Sequence, residues 1–372
     1  MHYLSGMLRL FRRGDFPAAE LPAFTAWRAW GRLINKFGRL PAESGSDSFD
    51  ASVRRVYDEK TEERSRPAGR TELHSERMPE MDSIKIIADS TCDLDPALTR
   101  NADLQILPLT ITFGSRSYLD GEEITVAQIY DLMRKGVMPQ TAQIPYERIY
   151  RCFKSCFENG DDFLYIAFSS KMSGCCSLAR MVAQELSGEY PGRKFAVIDS
   201  RGGSSATGLI VLQALRMVRD GLPFDTIKSE VEFMAEHVEH VFFVDDMKWL
   251  VKGGRVSKIV GQMGSVLNIR PVLDVRNGLI KVKQLVRGRK RAVQMVADEI
   301  VRRAEVFPKQ LIAISHADDR PAAEALRGIV RKDLPGCKTT LCHIGAVLGV
   351  HIGLKGIGAF CFNSRPKDYK FV

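Results

Sequence analysis

Ser173 and Gly174 stand at a junction where chemistry is available. Before them, Phe163 to Phe168 (FLYIAF) is a continuous apolar run of strand length, and after them Leu178, Met181, Val182 and Leu186 recur at helical spacing. A strand that is apolar throughout suits a parallel sheet buried on both faces. The SSKMSG turn therefore lies where a strand's carboxyl end meets a helix start. Free backbone N–H groups and the positive end of the helix dipole converge at such a point, and the ligand crevices of doubly wound sheets open there. A serine hydroxyl added to that nest can hold an anion or a carboxylate; the plainer reading is that Ser173 caps the helix. Two other strand ends repeat the pattern. IIADSTCDL places Asp89, Ser90 and Thr91 directly after one strand, and VIDSRGGSS places Asp199 and Ser200 directly after another. Capping and turn chemistry is the simplest role for each aspartate, and several polar tips facing one crevice is the alternative. In MPQTAQIPYERI, Thr141 precedes a helix opened by proline and could present its hydroxyl toward the same mouth.

The elements that must carry these tips alternate. Strands are expected at 84–88, 104–113, 162–168 and 194–198, with helical patterns near 125–135, 146–158, 175–187 and 204–219. This is α/β order, which implies a mostly parallel sheet. After a helical pattern ending near Val238 come a strand at 240–244, a glycine-rich turn, a helix at 258–266 and a hairpin over 270–286 around Asn277-Gly278. Asn-Gly between apolar runs is a strong hairpin signal. The expected fold is thus α/β in two domains, a Rossmann-like mostly parallel sheet over 81–235 and a hairpin-containing mixed sheet over 236–372. Residues 1–80 hold two of the three tryptophans and then a Ser/Asp/Glu/Arg-rich stretch without strand alternation, which reads as a linker or disordered extension. MLRLFRRGDF is too short for a secretory core and could form a weak amphipathic surface helix, while Met78 or Met81 would serve equally well as a start.

Composition narrows the function. The chain has 372 residues, 45% hydrophobic and 27% charged, enough for two sizeable cores. Its formal charge is +9, yet residues 1–80 carry 14 Lys+Arg against 12 Asp+Glu and the remainder 40 against 33, so no basic block demands nucleic acid. RGRKR at 287–291 reads first as a solvated helix start, and a basic regulatory or nucleic-acid module would rest on it alone. Of the eight cysteines, Cys152 and Cys156 lie one helical turn apart and Cys175 and Cys176 are adjacent, but no C-x-x-C pair occurs. Neither zinc spacing nor a secreted disulfide framework is present, and free thiols suit a reducing cytoplasm. No segment reaches the roughly 18–20 apolar residues of a membrane span. No G-x-x-x-x-G-K-[ST] run occurs, and no G-x-G-x-x-G follows a strand, so neither ATP nor a dinucleotide cofactor is expected on this chain. A serine hydrolase using Ser173 with His316, His343 or His351 is the enzymatic alternative. Lys171 stands where a G-x-S-x-G nucleophile elbow needs glycine.

Taken in order, IIADSTCDL, LPLTITF with YLDGEEIT, TAQIP, SSKMSGCCSLA, VIDS, DDMKWLVKGGRVS, GSVLNIRPVL and GVHIG resemble the DegV family of bacterial fatty-acid-binding proteins over about residues 82–365. The resemblance implies two α/β domains holding one long-chain fatty acid in a tunnel between them. Many members are similar to the carrier subunit of bacterial fatty acid kinase, which presents the carboxylate to an ATP-using partner that releases acyl phosphate. By motif, the family's two carboxylate-binding hydroxyls fall on Thr141 and on Ser173 of the Ser173-Gly174 pair. Its His-x-Gly histidine falls on His351, and its Gly-Gly-Arg on Gly253, Gly254 and Arg255. The chain departs from the family at Ala142, where serine is usual, at Cys175, where threonine is common, and in lacking a proline after His351-Ile-Gly. The implied protein is a cytoplasmic lipid carrier rather than an enzyme, without metal or cofactor, partnered by an ATP-dependent kinase subunit and open to transient membrane contact. The chemistry is coherent. A chain of about sixteen carbons gains on the order of 10 kcal/mol from tail burial before entropy costs, while a carboxylate cannot enter an apolar tunnel unpaired.

Overall fold

The computed structural model describes residues 83–100, 102–256 and 268–371, so the 1–80 extension and the helix expected over 258–266 lie outside the described residues. The first half runs β1 (Ile84–Asp89), α1 (Pro96–Thr99), β2 (Leu104–Leu107), β3 (Thr110–Phe113), β4 (Arg116–Leu119), α2 (Val126–Arg134) and β5 (Gln140–Ala142). It continues with α3 (Tyr146–Glu158), β6 (Asp162–Ala167), α4 (Cys175–Ser187), β7 (Phe195–Asp199), α5 (Ser205–Arg219) and α6 (Phe224–His237). Strands β2, β1, β6 and β7 form a four-stranded sheet in that order, every pair parallel. Every residue of β6 is buried, because its side chains alternate between two cores. Phe163, Tyr165 and Ala167 pack with residues of α3 and α4 such as Phe153 and Val182. Leu164 and Ile166 pack with residues of α5 and α6 such as Ile210 and Ile227.

The single strand expected over 104–113 is corrected to two strands in different sheets. Pro108 has no N–H to donate and fixes φ, so the parallel ladder stops at Leu107. The chain then leaves to form β3, the centre of a three-stranded antiparallel sheet ordered β4-β3-β5. Thr141 consequently sits in a strand, opposite Ile111. It does not cap the following helix, whose N-cap is Pro145 without a side-chain bond.

The second half contributes β8 (Val238–Phe243), α7 (Lys248–Gly253), β9 (Ile269–Arg276), β10 (Leu279–Arg287), α8 (Arg289–Ala304), β11 (Leu311–His316), α9 (Arg320–Asp333), β12 (Lys338–His343), α10 (Ala346–Ile352) and β13 (Ile357–Phe362). Its six-stranded sheet is ordered β10-β9-β8-β13-β11-β12, with β11 and β12 parallel and the other pairs antiparallel. The Asn277-Gly278 hairpin forms as expected, with φ of 51° and 79°, the double left-handed geometry that matches strand twist. The expected architecture, a parallel sheet followed by a hairpin-containing mixed sheet, is the one observed.

Buried carboxyls tie the two halves. Asp93 accepts hydrogen bonds from the Ser204 hydroxyl at 2.6 Å and the Gly345 N–H at 2.8 Å. Burial nevertheless dominates and pushes its carboxyl up to about 8, above the unfolded value of about 3.9. The folded state therefore holds this proton more tightly than the unfolded one, and the associated stability is lost as pH rises toward 8. Asp120, raised mainly by burial to about 6, acts in the same direction over a lower range. Melting temperature is expected to fall between pH 6 and 8, and Asp93→Asn should flatten that slope, since asparagine also tolerates the φ of 39° at this position. An unchanged slope in the variant would remove Asp93 as the cause.

Candidate functional site

The loop carrying Ser173 is built from both sides by aspartates. Asp89 accepts the Phe168 N–H at 2.7 Å, the Tyr165 hydroxyl at 3.1 Å and the Thr91 N–H at 3.1 Å. Asp199 accepts the Ser170 N–H at 3.2 Å and the Arg201 N–H at 2.8 Å, together with the Ser170 hydroxyl. These strand-end carboxylates are thus occupied in fixing the segment between β6 and α4. Ser200 is likewise engaged, with Thr207 at 3.0 Å. Ser169 extends the bracing by donating to the Gly278 carbonyl at 2.8 Å, which ties the loop to the hairpin tip.

The N-cap of α4 is Gly174 rather than Ser173. Ser173 Oγ accepts the Cys175 N–H at 3.3 Å and lies 3.1 Å from Cys175 Sγ. The serine therefore takes one orphan helix donor while its own proton meets only a sulfur, a weak acceptor. A Cβ on Gly174 would stand 2.4 Å from Gln143 Oε1, the tip of an exposed side chain that would have to turn aside.

The second arm is Thr141 on β5. Its Oγ1 lies 2.8 Å from His351 Nε2. Burial, then the charge of Arg255, lowers His351 to about 4, so the imidazole is neutral at physiological pH. Its Nδ1 is buried without a partner, and a Cβ on Gly253 would come within 2.1 Å of that atom. We assign the single proton to Nε2, because an unpartnered acceptor is tolerated better than an unpartnered N–H. His351 then donates to Thr141 Oγ1, which leaves the threonine proton available to an incoming anion. Arg255 follows α7 and donates to the Gly253 carbonyl at 2.5 Å and to the Met172 carbonyl at 3.4 Å, thereby holding the residue before Ser173. Gly254 supplies the left-handed turn between them, at φ 68°.

Thr141, Ser173, Gly174, Arg255 and His351 all line one cavity of about 260 Å³. At their end Ala142, Gln143 and Gly174 are exposed, whereas Phe168, Phe242, Ile357 and Phe360 along its walls are buried. The arrangement is a polar mouth on a largely apolar interior that also holds the buried Ser204 and His240. Sequence reasoning missed Gln143, Ser204 and His240 among the lining residues. The period-two alternation of β8, which puts His240 and Phe242 on one face, was the available signal. His240 Nε2 accepts the Gly203 N–H at 3.3 Å, and burial followed by Arg303 lowers it to about 3.

A catalytic serine would need a base, and the hydrogen bonds place none on Ser173. His351 is bonded to Thr141. His316 and His343 meet edge to face at the ends of β11 and β12, centroids 4.9 Å apart, and neither lines the cavity. Among the described residues no cluster of three or more His, Cys, Asp or Glu could hold a metal, and no helix is long and apolar enough to cross a membrane. All eight cysteines are free thiols.

Comparison with known proteins agrees with this architecture. DegV domain-containing proteins of Clostridium perfringens and Clostridium acetobutylicum are 31% and 32% identical to it, each alignment covering 75% of this chain and 97% or 98% of the relative. Among solved structures, a fatty-acid-binding DegV family protein of Thermus thermophilus superposes with a TM-score of 0.68 at 27% identity, covering 75% of this chain and 99% of its own. A stearic-acid-binding protein of Eubacterium ventriosum gives 0.69 at 26%, covering 74% and 97%. The B3 protein of Streptococcus pneumoniae fatty acid kinase, loaded with linoleic acid, gives 0.69 at 23%, covering 76% and 100%, a likeness of fold. The sequence model described as "Uncharacterised protein, DegV family" matches residues 83–364, and with these relatives it establishes that the chain belongs to the DegV family.

Proposed function

We propose that this protein binds a long-chain fatty acid, its tail in the apolar cavity and its carboxylate at the mouth between Thr141 and Ser173. The observation that carries the reading is the joining of neutral donors, Thr141 primed by His351 and Ser173 backed only by sulfur, at the exposed end of a cavity whose walls include the buried apolar side chains Phe168, Phe242, Ile357 and Phe360. Hydrogen bonds to a charged acceptor are worth about 1.5–3 kcal/mol each, and Arg255 beside them adds an attractive field. The fatty acids named for the Thermus thermophilus and Eubacterium ventriosum relatives support the same ligand class. An exposed carboxylate end and a sequence without a phosphate-cradling loop suit a carrier that offers the acid to an ATP-dependent fatty acid kinase. Denaturing mass spectrometry of lipid extracted from purified protein is expected to find long-chain fatty acid near one equivalent. Incubating that complex with a fatty acid kinase and ATP should release acyl phosphate. Lipid-free preparations that also fail to take up palmitic acid would refute the binding, and ester hydrolysis abolished by Ser173→Ala would install the hydrolase instead.

A further inference from the structure

The cavity carries polar side chains in two places. One is the mouth, where Thr141 and Ser173 are half-buried; the other is formed by Ser204 and His240, 8% and 4% exposed, which line the same cavity. Strands β8 and β13 contribute His240, Phe242, Ile357, Gly358 and Phe360 to its wall, and the histidine alone among these is polar. Its ring lies against the turn between β7 and α5, where a Cβ on Gly202 would stand 2.2 Å from Nε2. Nε2 accepts the Gly203 N–H at 3.3 Å, and burial, followed by Arg303, keeps the ring neutral. Its one proton is therefore on Nδ1, which is buried without a partner. Unlike His351, this ring cannot leave an acceptor as its orphan atom, and a buried N–H without an acceptor calls for an explanation.

Ser204 has a proton to offer as well. In its ionised form Asp93 accepts from the Ser204 hydroxyl at 2.6 Å and from the Gly345 N–H at 2.8 Å. Burial leaves this carboxyl protonated at neutral pH, and the proton belongs on Oδ2, because Oδ1 faces the Gly345 N–H. The 2.6 Å bond then runs from Asp93 to Ser204, which frees the serine's own proton. Ser204 holds φ 55° and ψ −153°, a region that glycine enters freely and other residues only under strain, so the hydroxyl is kept there at a cost to folding.

We propose that Ser204 and His240 form an interior subsite for a neutral oxygen on the fatty-acid tail, so that the ligands include long-chain acids bearing a hydroxyl or keto group along the chain. The inference rests on the fatty-acid reading above. A hydroxyl carried into a wholly apolar cavity loses its hydrogen bonds to water and weakens binding, whereas donors on the wall replace those bonds.

Stearic acid and its derivatives hydroxylated at the ninth, tenth or twelfth carbon, titrated into lipid-free full-length wild type, Ser204→Gly and His240→Phe, test this, with thermal unfolding of each ligand-free protein alongside. Wild type should bind at least one of the hydroxy acids within about threefold of stearic acid, or tighter. In Ser204→Gly, where glycine suits the positive φ, and in His240→Phe, which fills the ring's space without a donor, the affinity for that hydroxy acid relative to stearic acid should fall about tenfold, the scale of an unmet hydroxyl. A wild type that binds every hydroxy acid more than about threefold weaker than stearic acid, or variants that keep the wild-type ratio, would overturn the subsite while leaving the fatty-acid reading intact. A wild type that takes up neither stearic acid nor its derivatives would instead defeat that reading and this inference with it. Should His240→Phe fail to fold, the ratio in Ser204→Gly decides alone.

Discussion

Thr141→Ala combined with Ser173→Ala is expected to weaken palmitic-acid binding by about a hundredfold or more while leaving hexadecanol binding within a few-fold of wild type. Each hydroxyl donates to a charged oxygen, worth about 1.5–3 kcal/mol, and about 1.4 kcal/mol is tenfold in affinity. The two are coupled through one carboxylate, so the double loss should fall short of the product of the single losses. Folding should be less affected. Ser173 accepts a single helix N–H, and losing such a contact costs about 1 kcal/mol. Thr141 leaves behind the Nε2–H of a buried histidine, an orphaned donor costing about 1–3 kcal/mol. Thr141→Ser, which keeps the hydroxyl, should therefore retain both stability and affinity. Isothermal titration of both ligands decides the matter: if the double variant still prefers the acid as strongly as wild type does, the clamp is not where the carboxylate binds.

How much of this was legible beforehand varied with the physical signal. β6 announced itself because a strand buried on both faces must be apolar throughout, and the hairpin because Asn277-Gly278 is among the few pairs that accept two positive φ values. The position of Ser173 followed from those patterns alone. Thr141 was read as preceding a helix opened by proline, and a helix does start after Pro145; what the sequence did not show is that Thr141 lies in a strand, because one as short as Gln140–Ala142 shows no periodicity. Asp89 and Asp199 were correctly sensed as local hydrogen-bonding residues, but which loop they hold depends on strands adjacent in space, β1 with β6 and β6 with β7. His351, 210 positions from Thr141, was reachable only through family resemblance. The alternation of β8 puts His240 on the same face as Phe242, but that this face looks onto the cavity depends on elements distant in sequence.

Arg303→Met is expected to destabilise the ligand-free protein by about 3 kcal/mol or more, the range for breaking a buried ion pair from one side. Arg303 on α8 donates to Glu299 on its own helix at 2.8 Å, to Glu239 on β8 at 2.5 Å and to Asp274 on β9 at 3.0 Å, and all four side chains are buried. Removing the guanidinium leaves three carboxylates whose remaining cations, Arg276, Arg302 and Lys283, approach from the more exposed rim. Methionine fills the space but offers no donor. The pH dependence identifies the cause. Burial works against ionisation of Glu299, yet hydrogen bonds from Arg302, Arg303 and Lys283 outweigh it and hold the group down at about 2, below the unfolded value of about 4.3. A depressed carboxylate stabilises the fold above its unfolded pKa, and that contribution is lost as pH falls through 2. The wild-type advantage should thus be complete at pH 7 and shrink below about pH 4, where the variant's carboxylates take up protons. Arg303→Lys keeps the charge but cannot span three acceptors with one ammonium, so it should fall between the two. Urea unfolding across pH 3–7 measures all three proteins, and a deficit that is small or independent of pH would mean that the packing of α8, not its charge, secures it to the sheet.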